Sequence, residues 1–150
     1  MNAQTSGDSL LVIGYGNELR GDDAAGWRAV EEVEALHLPR VTTIYRHQLT
    51  PDLAASLTGA EVAIFVDACV DPELEAVRVR RVQPEVGNAS THHSGPEDLL
   101  WLAHALYNAS PRVWAIDIPA SEFAFGADLS PRTSAALKDA VTRIRDLVAA

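Results

Sequence analysis

One cysteine in 150 residues, Cys69, leaves no partner for an intrachain disulfide and no basis for a cysteine-rich zinc or iron–sulfur site. Basic residues are scarce too. Twelve Lys and Arg against 21 Asp and Glu give a formal charge of −9, which repels phosphate backbones. The few arginines are scattered, apart from Arg78-Val79-Arg80-Arg81, whose alternation reads as one polar face of a strand. Nucleic acid is not an expected partner. No apolar run approaches the ~18 residues needed to span a bilayer, so no membrane association is expected either. Residues 1–8 lack the basic region and cleavage site of a secretory signal; they read as a flexible lead-in and point to a cytoplasmic location.

What is present suits a globular chain: 47% hydrophobic and 22% charged residues, in a length that makes one domain, 1–150, with one substantial core. Residues 9–15 are apolar on both strand faces and predict a central, doubly covered strand. A helix follows from Asp22 or Asp23 to about His37, with Trp27, Val30, Val33 and Leu36 as its apolar stripe and Pro39 as its stop. Residues 41–45 form a short strand. Thr50-Pro51-Asp52 opens a helix ending near Gly59, with Thr50 as N-cap and Pro51 in the first turn.

Residues 61–69 make a third strand whose apolar run Val62-Ala63-Ile64-Phe65-Val66 ends at Asp67. The strand at 74–82 follows too closely for a crossover helix and is expected to run antiparallel. A polar loop spans 87–95, helices occupy 96–107 and 131–150, and a further strand covers 112–118. Strands alternating with helices predict an α/β domain, a mixed, mostly parallel sheet with helices on both faces.

The ionisable residues fall at comparable places in this scheme. Asp22 and Asp23 follow the first strand, Asp67 ends the third, and His92 and His93 lie in the loop before a helix. Crevices in open α/β sheets form outside the carboxyl ends of the parallel strands, so two carboxylates and an imidazole can converge there as ligands of a divalent transition ion. Each residue also has a plainer role. Asp22 reads first as a helix N-cap, with Asp23 one position inside the helix, where the macrodipole favours a carboxylate. Asp67 ends a buried run and needs some partner, protein or metal. Glu18 and Arg20 read first as solvated loop charges. Cys69 lies on the same side of its strand as Asp67, but no thiol-enzyme signature surrounds it. A dinucleotide is excluded: after Gly14-x-Gly16 the next glycine is Gly21, and two aspartates would occupy the helix start that a pyrophosphate needs.

The spacing Gly14-Tyr15-Gly16-Asn17-x-Leu19-x-Gly21-Asp22-Asp23-x-x-Gly26 resembles the opening signature of the hydrogenase maturation endopeptidases, the processing proteases of nickel–iron hydrogenases. Phe65-Val66-Asp67-Ala68 and Ser90-Thr91-His92 resemble that family's second and third motifs, in the same order. The resemblance spans nearly the whole chain and implies a twisted, mixed five-stranded sheet between helices. It implies Asp23, Asp67 and His92 as the metal-contacting and catalytic residues, with Asp22 and His93 as alternates. Many relatives have Glu where this chain has Asp23, and His93 directly follows His92.

The implied activity is removal of a C-terminal extension from the [NiFe] hydrogenase large-subunit precursor after nickel insertion. The precursor's own nickel would then be the recognition element, and no organic cofactor is needed. Two other classes stand beside it: a non-catalytic nickel-sensing checkpoint or chaperone for the immature large subunit, and a metallohydrolase carrying its own zinc.

Overall fold

A strand caught between two helix layers must be apolar on both faces, and β1 (Leu10–Tyr15) and β3 (Val62–Cys69) are so along nearly their whole length. They form the centre of a five-stranded sheet in a computed structural model that describes residues 9–84 and 95–150. The other strands are β2 (Val41–Arg46), β4 (Arg78–Val82) and β5 (Arg112–Pro119), in the order β2-β1-β3-β5-β4. The first four in that order are mutually parallel, and β4 runs antiparallel to β5 at the edge. The expected mixed, mostly parallel α/β domain is what the chain forms.

The helices are α1 (Ala25–Ala35), α2 (Leu53–Ser56), α3 (Pro96–Tyr107) and α4 (Pro131–Ala149). Alternation along the strands divides the core in two. Val12, Ile64, Val66, Ile116 and Ile118 pack with buried residues of α1 and α4, while Leu11, Ile13, Phe65, Val113 and Ala115 pack with those of α2 and α3. Because β2 and β3 flank β1 on opposite sides, the chain direction across the sheet switches between β1 and β3. That switch point, at the carboxyl ends of the two strands, is where open α/β sheets leave a crevice.

Several local expectations are corrected. Asp22 caps no helix: it lies inside a 3-10 turn, Gly21–Ala24, whose N-cap is Arg20, and neither that turn nor α1 has a side-chain cap. Helix α1 ends at Ala35 and leaves Leu36 exposed, because the chain turns left-handed at His37 (φ 51°). Thr50 does not cap α2. Its carbonyl accepts from the Leu53 N–H, while its hydroxyl donates to Asp52. The fourth strand starts at Arg78 rather than Leu74; it runs antiparallel, as expected, and its partner is β5. The expectations for residues 1–8 and for the loop carrying His92 and His93 lie outside the described residues.

Candidate functional site

The glycines of the first motif act by what they lack. A Cβ on Gly14 would sit 2.4 Å from the Gly26 carbonyl oxygen, and one on Gly26 would sit 2.4 Å from that of Val66. Two facing glycines thus let the start of α1 rest directly on the ends of β1 and β3. Gly16 (φ 138°) then wraps the loop under Asp23, whose Oδ2 accepts the Asn17 N–H at 2.8 Å. This fixes the Asp23 carboxylate beside the end of β3, close enough for its charge to act on Asp67.

Asp67 belongs to a row that crosses the sheet on the α2/α3 face. Tyr15, one residue past the Gly14–Val66 pair, donates its hydroxyl to the Asp67 carboxylate. Asp67 is in register with Asp117 on β5, and Asp117 with Arg78 on β4. Burial pushes the Asp67 carboxyl up to about 7, and the neighbouring Asp23 and Asp117 charges push the same way. The Ala68 N–H and the Tyr15 hydroxyl oppose that rise without cancelling it. Tyr15 is itself held well above the usual tyrosine range, by burial first and by the Asp67 and Asp117 charges.

Asp117 is 7% exposed and is paired with two arginines. Arg78 Nε and Arg80 Nε both donate to its Oδ2, at 2.9 and 3.2 Å, and Arg80 Nη1 reaches Glu97 Oε2 at 2.7 Å. A buried carboxylate with two guanidinium partners is compensated; Asp67, with a hydroxyl and one amide, is not. Cys69 lies near the Arg78 guanidinium, 3.7 Å from Sγ to Nη2.

Asp22 does something the sequence did not suggest. Fully buried, it accepts four hydrogen bonds from the segment linking β5 to α4: Ser121 N–H, Glu122 N–H and Ser130 hydroxyl on Oδ2, and Ser130 N–H on Oδ1, all within 3.0 Å. Burial alone would raise its carboxyl, yet these donors together hold it below the ordinary carboxylate range. With its lone pairs turned inward, Asp22 ties two loops together and places Asp23 next to it.

The structure therefore brings Asp23 and Asp67 together and turns Asp22 away. His92 and His93 lie outside the described residues, but the chain resumes at Gly95 and α3, whose Glu97 is bonded to Arg80 beside Asp117. Among the described residues, no three His, Cys, Asp or Glu side chains gather as a metal cage. The site-lining residues that sequence reasoning passed over are Tyr15, Asp117, Arg78 and Arg80. A signal existed for Asp117, a charge inside the apolar run Ile116-Asp117-Ile118, and the Arg78/Arg80 alternation was visible as a polar face without a target. A cavity of about 510 Å³ lies elsewhere, at the opposite end of the sheet, where Leu10, Val62 and Arg112 begin their strands. It has no part in this arrangement.

No protein-family model and no curated protein sequence matches the chain. Solved structures do. The hydrogenase maturating endopeptidase HybD from E. coli superposes with a TM-score of 0.72 at 21% identity, over 91% of this chain and 89% of that one. The [NiFe] hydrogenase maturation protease HybD from Thermococcus kodakarensis gives 0.70 at 24% identity, over 93% and 99%. The protease HycI from the same organism gives 0.72 at 16% identity, over 95% and 93%. The fold is that of the hydrogenase maturation proteases. On this fold, Asp23 and Asp67 of the present chain stand at the switch point between its two central strands. No helix among the described residues is long and apolar enough to cross a membrane.

Proposed function

We propose that this chain is a cytoplasmic endopeptidase that removes a C-terminal extension from a [NiFe] hydrogenase large-subunit precursor. The precursor's nickel is part of the substrate, bound by Asp23, Asp67 and His92 as the signal that insertion is complete. The observation that carries this reading is the state of Asp67. Its carboxylate is half-buried beside a second carboxylate and pushed up to about 7, so its negative charge is the group in the site that most needs a cation. A divalent ion delivered by a partner would neutralise both acids at once, and imidazole with carboxylates is a donor set that suits nickel. His92 precedes α3 by a few residues in sequence, and Glu97 in the first turn of α3 is bonded to Arg80 beside Asp117.

In the hydrolysis itself, water adds to the scissile carbonyl carbon, the C–N bond breaks, and the water's protons end on the released amine and carboxylate. Asp23 or Asp67, once released from the ion, would take the water's proton. The test is intact mass of a nickel-loaded precursor before and after incubation with the protein. Loss of a C-terminal fragment is expected, and Asp23→Asn, Asp67→Asn and His92→Ala should each slow it by ~10²-fold or more. A competent precursor left intact by the native protein would falsify the peptidase reading.

A further inference from the structure

The residue next to the proposed ligand Asp23 is spent on fastening a loop, and the fastening is elaborate. Besides the four bonds to the Asp22 carboxylate, the Asp22 N–H donates to the Glu122 carbonyl at 2.7 Å and the Gly126 N–H to the Leu19 carbonyl at 2.9 Å. Arg20 pairs with Phe125 as an antiparallel bridge, its Nε donates to the Phe123 carbonyl at 3.2 Å, and its guanidinium stacks on the Phe125 ring, 5.2 Å from the centroid. Gly21, left-handed at φ 52°, leaves no room for a Cβ against the Glu122 carbonyl. Residues 17–22 and 121–130 are thereby locked into one unit.

That unit holds apolar side chains out into solvent. Phe125 is 73% exposed and Leu19 63%, the former more than any other large hydrophobic residue described. The Arg20 contact is a small gain against so much exposed apolar surface, and an ordinary exposed loop needs no buried aspartate beneath it. Rigid, exposed aromatic and arginine side chains have instead the character of interface anchors, since their ordering entropy is already lost before a partner arrives. The unit is acidic: within residues 17–22 and 121–130, Glu18, Glu122 and Asp128 are exposed beside a single cation, Arg20.

We infer that the two loops stitched together by Asp22 are a docking platform for the protein substrate, with Phe125 and Leu19 seating an apolar patch ringed by basic residues. The inference rests on the proposed peptidase reading for the identity of that partner. It assigns the β5–α4 loop, far from Asp23 in sequence, to substrate recognition. Because Asp22 and Asp23 are adjacent, a partner seated on the platform is registered against the carboxylates by the same hydrogen bonds that hold the loop.

The experiment uses the full chain and the nickel-loaded large-subunit precursor from the same organism. Binding is read by interferometry, cleavage by intact mass, and self-association by sedimentation velocity. The platform requires the Leu19→Ser/Phe125→Ser double variant to bind the precursor at least about tenfold more weakly and to show a correspondingly raised KM. The control Leu106→Ser, which removes an equally exposed leucine from α3, should bind as the native protein does. Association of the native protein should slow as salt rises, as an acidic surface facing a basic one demands. Native affinity in the double variant overturns the platform and leaves the peptidase reading standing. Binding lost in the double variant, from a native protein that binds without cleaving, upholds the platform and removes the peptidase reading. A native protein that neither binds nor cleaves overturns both. A native dimer made monomeric by the double variant, with precursor affinity unchanged, would make this face a contact between copies of the chain and overturn the proposal.

Discussion

Replacing Asp67 by Asn should make the protein more stable at neutral pH, by an amount that grows with pH. Burial holds the native carboxyl at about 7 against about 4 for a free aspartate, a difference of about 3. At ~1.36 kcal/mol per unit that is about 4 kcal/mol, a ceiling because water reaches the partly exposed carboxylate. The sign follows from which state binds more protons. Below about pH 4 the acid is protonated in both folded and unfolded chains and costs nothing. Between about pH 4 and 7 the unfolded chain releases its proton while the folded one keeps it, so native stability falls with rising pH. Above about pH 7 both are ionised and the full penalty is present. Asn is nearly isosteric and still offers an oxygen to the Ala68 N–H or the Tyr15 hydroxyl, but carries no charge to desolvate. Urea unfolding of both proteins from pH 4 to 8.5 checks this, with linear extrapolation at each pH. The two stability curves should nearly meet at the acid end and separate to a plateau above pH 7. Curves that run parallel across the range would refute the reasoning, since the burial of Asp67 would then carry no charge penalty. A carboxylate kept at such a cost is the usual sign of a site shaped for function rather than for stability.

Asp22→Ala should have the opposite effect, destabilising the fold by at least ~3 kcal/mol because three backbone N–H groups and the Ser130 hydroxyl lose their acceptor. Since Asp22 is held below its ordinary range, its contribution is present above about pH 4 and disappears as pH falls through the depressed value, so the difference between native and variant unfolding midpoints should shrink only in acid. Tyr15→Phe should leave the fold intact and move the Asp67 carboxyl further up, because the lost hydroxyl donates to its charged form. Carboxyl-carbon NMR titration of Asp67 reads this directly, and an unchanged or lowered value would contradict the assigned hydrogen bond.

Local pattern was enough for much of this protein. Runs apolar on both faces can only be central strands, which made β1 and β3 legible, and their polar terminators marked the sheet edge where Asp23 and Asp67 meet. The spacing of Pro96 and Pro131 before helical stripes likewise located the starts of α3 and α4, because proline at a first helical position sacrifices no hydrogen bond. What remained hidden were relations between distant segments. Asp22 looked like a cap because caps are local and frequent, whereas its true partners, Ser121 to Ser130, lie about a hundred residues away. Pairing of β4 with β5 rather than with β3 depended on strand order, which periodicity does not encode. Two arginines of β4 reach Asp117, whereas Asp67 has one hydroxyl and one amide, a difference that strand order sets. The sequence by itself determined the order of strands and helices and the apolar runs at the centre of the sheet, since both follow from side-chain pattern over a few residues. Only the tertiary structure decided which carboxylate is a girder and which is left wanting a cation, because hydrogen-bond supply and local dielectric are properties of the packed whole.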